Sequence, residues 1–175
     1  MPANEDFMAD ILWLHATYYF GLHYQTDKKY LLLDDYLDGI TEFSPRWERP
    51  YLFAAVNIPL QVGKVDLGLQ YISKGLRYHP RDWKLWFFKG IYLFQVKKDY
   101  DQASKSLSRA SSLPGAPGYL SELSLTLASK AERNLLSRKF LQNVLEGVQD
   151  RERRKKILEK FKELSSNESD SGKME

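Results

Sequence analysis

The chain has 175 residues and a mass of 20.5 kDa, with 43% hydrophobic, 14% aromatic and 28% charged residues and no cysteine. That is enough apolar material for one domain of ordinary size, and it excludes disulfide scaffolds, thiolate zinc sites and cysteine catalysis. Net charge is only +3 but unevenly spread: residues 1–45 hold eight acids and two bases, for −6, and residues 46–175 hold 24 bases and 15 acids, for +9. Apolar residues at helical steps predict a first helix over 5–23, through Phe7, Ile11, Leu12, Leu14, Tyr18, Tyr19 and Leu22. A second, over 28–43, uses Tyr30, Leu33, Tyr36, Leu37, Ile40 and Phe43 and is stopped by Pro45. The third, 47–62, ends before Gly63 and should be kinked or frayed by Pro59. A fourth, 65–78, carries the stripe Val65, Leu69, Ile72 and Leu76, and Pro80 follows it. Aromatic residues dominate the fifth, 82–97, and the sixth, 99–112, has Asp99 as its expected N-cap. After the loop LPGAPG (113–118), three more helices are expected, over 119–130, 133–147 and 150–164. The expected fold class is therefore all-α with about nine helices. Residues 1–165 form one domain, and residues 166–175 a polar tail that should be disordered.

No apolar run reaches the roughly 18 residues of a membrane-spanning helix. Glu5, Asp6 and Asp10 stand where a secretion signal would be basic, so none is expected. The segment GKVDLG (63–68) has the glycine spacing of a phosphate-binding loop, but Leu69 and Gln70 occupy the lysine and hydroxyl positions, so it reads as a helix–helix turn. Adjacent Asp34 and Asp35 diverge on a helix and read as a solvated edge; Asp34 with Asp38 is a weaker candidate for a divalent ion or a basic partner. His15 and His23 are too widely spaced to share a metal ion. His79, beside Pro80, is placed to meet the last carbonyls of its helix. No metal or cofactor is expected.

The run RERRKK (151–156) alone invites a nucleic-acid reading. Acids interleave with its bases and it lacks stacking rings, so the favoured reading is an amphipathic capping helix buried through Ile157, Leu158, Phe161 and Leu164. Binding to acidic protein, phospholipid or nucleic acid is the alternative.

The spacing of the helix stops is informative. Pro45 and Pro80 are 35 residues apart and Pro114 follows 34 later; Tyr36 and Tyr71, and Gly68 and Ala103, are also 35 apart. Such a period, built of two short helices, marks a helical repeat array in which stacked pairs bury each other's stripes. Leu52, Val56, Gly68, Ile72 and Gly75 before Pro80, and Trp86, Gly90, Ala103, Leu107 and Ala110 before Pro114, carry the large and small residues of the tetratricopeptide pattern. The chain thus resembles a tetratricopeptide repeat protein, with repeats near 12–45, 48–80, 83–115 and 119–147 and the capping helix at 150–164; the first and fourth repeats are degenerate. The strings ADILWLHATYYFG (9–21), YLDGITEFSPRW (36–47) and GLRYHPRDWKLWFFKGIYLF (75–94) are similar to those of a bacterial subgroup.

The resemblance implies a right-handed superhelical stack of antiparallel helix pairs without enzymatic activity. It implies a protein or peptide partner, within a multi-subunit complex or alone, held in an aromatic-lined concave groove. Carried over, the groove residues are Tyr18, Leu22, Phe53, Asn57, Gln61, Lys84, Phe87, Ile91 and Gln95. Many members carry a hydrophobic anchor or export segment before the first repeat. None precedes residue 9 here, so a trimmed form or a relative lacking it is implied, with a membrane-associated or periplasmic setting and a cytoplasmic one as the alternative. The rival reading is a structural subunit of a larger assembly using end and outer faces. An RNA-binding repeat is disfavoured by the acidic first 45 residues.

Overall fold

A computed structural model of the chain describes residues 2–146, 151–152 and 154–159. Among the described residues the fold is all-helical, without strands: α1 (Pro2–Gln25), α2 (Leu33–Phe43), α3 (Glu48–Asn57) continued by a π-helical turn (Ile58–Val62), α4 (Val65–Tyr78), α5 (Trp83–Gln95), α6 (Tyr100–Ser111) and α7 (Tyr119–Glu146). Residues 151–152 and 154–159 are also helical. The chain divides into two units, Met1–Ala128 and Ser129–Glu175.

Within the first unit, α1 packs on α2, α3 on α4 and α5 on α6; α2 also meets α3, α4 meets α5, and α3 meets α5 directly. The small residues stand where helices approach most closely. A methyl group on Gly68 would collide with the Pro59 ring, one on Gly75 would lie 2.8 Å from Tyr51 Cγ, and one on Gly90 would lie 2.6 Å from Leu107 Cγ. Ala103 and Ala110 are fully buried against Leu107, Leu120 and Leu127.

Three tyrosines reach across these seams. Tyr51 donates to the Pro45 carbonyl at 2.9 Å, and Tyr71 to Asp34 Oδ1 at 2.6 Å. Tyr92 donates to the Ala55 carbonyl at 2.8 Å. This last bond explains the end of α3. Pro59 has no N–H with which to bond the carbonyl four residues earlier, which is that of Ala55, and Tyr92 from α5 supplies the missing donor. The chain then continues as a π turn, closed by Gly63 in the left-handed conformation at φ 76°.

Two boundaries differ from expectation. The helix expected from residue 28 begins at Leu33. Lys28 adopts φ 56°, which ends the preceding helix, and the connection is held by tertiary contacts. Tyr19 Oη donates to the Lys29 carbonyl and accepts from the Leu32 N–H, while the Tyr30 ring stacks on Phe20 at 5.1 Å. The expected break between 119–130 and 133–147 is absent, and α7 runs through it. No glycine or proline lies between Tyr119 and Glu146, and Lys130, Ala131 and Glu132 are good helix formers. Two of the nine expected helices are therefore one. Asp99 caps α6 as expected, accepting from the Gln102 N–H at 3.0 Å, and Asp82 does the same for α5 through the Lys84 N–H.

In the second unit, Ile157 is half-buried and Leu158 exposed. Phe161 and Leu164 of the expected cap, and the tail 166–175, lie outside the described residues. No helix of the described residues is long and apolar enough to cross a membrane.

Candidate protein-interaction surface

The aromatic residues of α1 and α3 form a seam. Trp13 lies 5.3 Å from Trp47 and meets Phe53 edge-on at 5.4 Å, and Phe20 meets Phe53 edge-on at 5.1 Å. Edge-to-face rings at these separations add to burial rather than wait for a ligand. Phe53, expected in the groove, is thus gripped between two rings of α1. Tyr18 and Leu22, expected beside it, are exposed. At 100° per residue they sit on the face of α1 opposite Trp13 and Phe20. The structure does not bring Tyr18 and Leu22 together with Phe53.

The remaining expected residues lie on α3, its π turn and α5, which are neighbours. Lys84 and Gln95 are exposed on α5, and Phe87 and Ile91 are half-buried. Phe87 meets Trp83 at 6.4 Å and Phe88 at 5.4 Å, so it is partly committed to packing. Asn57 Nδ2 donates to the Phe53 carbonyl at 3.0 Å, on its own helix. Gln61 is exposed within the π turn, whose extra residue rotates it away from the direction an α-helix would give. Trp86 is half-buried; its Nε1 donates to the Pro80 carbonyl at 3.0 Å and Lys89 Nζ lies 5.3 Å from the ring centroid.

Beside Lys84 opens a cavity of about 450 Å³, lined by Glu48, Tyr78, His79, Pro80, Arg81, Asp82 and Trp83 as well. His79 Nε2 and Asp82 Oδ2 are buried there without a hydrogen-bond partner. Unpaired buried polar atoms are costly and find partners where they can. The expectation that the His79 imidazole closes α4 is corrected in part: the backbone N–H of His79 bonds the Gly75 carbonyl at 2.8 Å, while the ring lies 6.0 Å from that of Tyr51.

The other candidate chemistry resolves into structural ties. Asp34 is not a solvated edge, because Tyr71 donates to both its carboxylate and its carbonyl. Asp38 lies 3.6 Å from Lys74, whose Nζ also donates to buried Thr41 Oγ1 at 2.7 Å. His23 pairs with Asp27 at 2.5 Å, and the hydrogen bond from His23 holds the Asp27 carboxyl below its ordinary range. The described residues contain no group of three or more side chains able to hold a metal ion. GKVDLG is a connection into α4, as its sequence suggests.

One surface feature escaped the groove reasoning. Phe7, Leu14, Tyr18 and Leu22 are 60%, 67%, 72% and 48% exposed, with Met8 at 42% beside them. Steps of seven, four and four residues put them on one stripe, so the signal was present in the spacing. It was masked because the opposite face of α1 is equally apolar. Comparison of the chain with known protein families, with curated proteins and with solved structures finds no match.

Proposed function

We propose that the chain is a non-catalytic protein-interaction module whose helix pairs stack as in tetratricopeptide repeats, in a right-handed superhelix. It binds a peptide or partner subunit along the surface shared by α3 and α5. The observation that supports this reading is that α3 and α5 are direct neighbours, with Gln61, Lys84 and Gln95 exposed and Asn57, Phe87 and Ile91 half-buried on these helices and the π turn. Apolar ground with a few polar groups suits an extended or helical peptide. Lys84, next to the cavity, favours a partner with an acidic group.

Peptides selected from a displayed library against the full chain test this. They should be enriched in acidic residues. Lys84→Glu combined with Gln61→Ala and Gln95→Ala should weaken them at least about tenfold, or roughly 1.4 kcal/mol, with the circular-dichroism spectrum intact because all three side chains are exposed. Unchanged affinity would remove this surface from the function. A second reading, a structural subunit of a larger assembly using outer faces, is favoured by the exposed stripe of α1.

A further inference from the structure

We propose that the exposed stripe of α1 is a self-association surface, on which the same stripe of a second copy docks antiparallel. A helix face normally presents polar residues to water, and here it presents exposed Phe7, Leu14, Tyr18 and Leu22, with half-buried Ile11 among them. The opposite face, with fully buried Ala9 and Ala16, already packs against Ile40 of α2. The stripe is therefore not used by the fold of the first unit.

Its spacing fits a copy of itself. The stripe is nearly symmetric about the point between Leu14 and His15: an antiparallel partner crossing there sets Phe7 against Leu22 and Ile11 against Tyr18, and the mirror contacts follow by two-fold symmetry. A parallel copy would set Phe7 against Phe7 and acid against acid.

Charge selects the same direction. Glu5 and Asp6 lie near one end of α1, and exposed Lys28 and Lys29 follow the other. Measured from the crossing point at about 1.5 Å per residue, Glu5 lies about 14 Å to one side and Gln25, the last residue of α1, about 16 Å to the other, with Lys28 in the turn that follows. An antiparallel pair therefore sets Glu5 beside the last turn of the second copy's α1, next to the turn that carries its exposed Lys28 and Lys29. The helix macrodipoles also oppose.

The exposed parts of these side chains amount to about 400–500 Å² per copy, against roughly 800 Å² per partner in a standard interface. The dimer should therefore be reversible and concentration-dependent, with a dissociation constant in the micromolar range.

Sedimentation velocity of the full chain, from about 1 µM to about 500 µM, should show mass rising from monomer to dimer. Leu14→Glu sets two carboxylates against each other at the crossing and should raise the dissociation constant at least about tenfold, with helicity unchanged because Leu14 is largely exposed. Glu5→Lys and Lys28→Glu should each weaken the dimer alone. Mixed one to one, they should restore it, since both charge pairs of the mixed dimer are then complementary. The losses in the single variants mark the antiparallel arrangement, because a parallel dimer sets like charges together in the wild type and in each variant alike; neither the losses nor the rescue involves the α3–α5 surface. A wild-type chain that stays monomeric throughout, a dimer indifferent to Leu14→Glu, or a mixture no tighter than the single variants would overturn the proposal. A monomer that co-sediments with phosphatidylcholine vesicles through Leu14 would overturn it too, and would assign the stripe to a lipid surface.

Discussion

Gly75→Leu should unfold the first unit or lower its melting temperature by well over ten degrees. Even a single methyl on Gly75 would lie 2.8 and 2.9 Å from Tyr51 Cγ and Cβ and 3.1 Å from Leu85 Cδ1. The backbone fixes Tyr51 Cβ, and Cγ moves only by a change of χ1 that would swing a packed ring, since both Tyr51 and Leu85 are fully buried. Overpacking usually costs about 1–3 kcal/mol, and an isobutyl group here should exceed that range. Gly75→Ala is the gentler form: alanine gains about 1 kcal/mol of helix propensity and should still be destabilising on balance. Gly21→Ala is the control, because nothing lies within 4 Å of its added methyl. It should stabilise by about 0.5–1 kcal/mol. Thermal denaturation of the three variants checks the set. A Gly75→Ala melting temperature at or above that of Gly21→Ala would contradict the close approach of α3, α4 and α5.

The second large effect is alkaline unfolding. Burial pushes the Tyr51 hydroxyl up to about 12, with Tyr78 adding to the shift. Tyr71 is pushed up by burial and then by its bond to Asp34, and Tyr92 by burial. Each donates to a carbonyl or carboxylate oxygen, so a phenolate at any of these sites would lose its bond and face another electronegative atom. The folded pKa values lie above the unfolded value of about 10. Stability from these groups is therefore complete below pH 10. It falls as pH rises further, because the unfolded chain then binds fewer protons than the folded one.

Each tyrosine contributes a slope of about 1.4 kcal/mol per pH unit until its folded pKa is reached. Over the interval from pH 10 to roughly 12 three such groups remove at most about 8 kcal/mol, enough to unfold a domain in the lower half of the ordinary range of about 5–15 kcal/mol. The expected signature is tyrosinate absorbance from Tyr51, Tyr71 and Tyr92 that appears together with loss of helical circular dichroism. Tyr51→Phe should make the alkaline transition shallower. A single titration complete before any helix is lost would show that the three hydroxyls are not sequestered.

Much of this architecture was legible along the chain because it is local. Pro45, Pro80 and Pro114 mark helix stops, Asp99 announces a cap, and Gly68, Gly75, Ala103 and Ala110 recur at a spacing only close helix contacts require. For two of the readings that failed, the deciding partner lay elsewhere in the sequence. The connection before Leu33 depends on Tyr19 and Phe20, and Asp34 became a structural acceptor because Tyr71, far along the chain, reaches it. The interaction surface shows the same limit. Helical spacing says that Tyr18 and Leu22 share a face and that Phe53 belongs to the next helix pair, but α1 is apolar on two sides and its periodicity does not say which side meets α3.

By itself, then, the sequence determined the all-helical class, the helix stops and the close-contact residues, since propensity, proline geometry and side-chain volume act within a few residues. Only the tertiary structure decided that Trp13 and Phe20 take Phe53 into the packing and leave the Phe7–Leu22 stripe in water, because two apolar faces of one helix compete for a single neighbour and the packing of whole side chains selects between them.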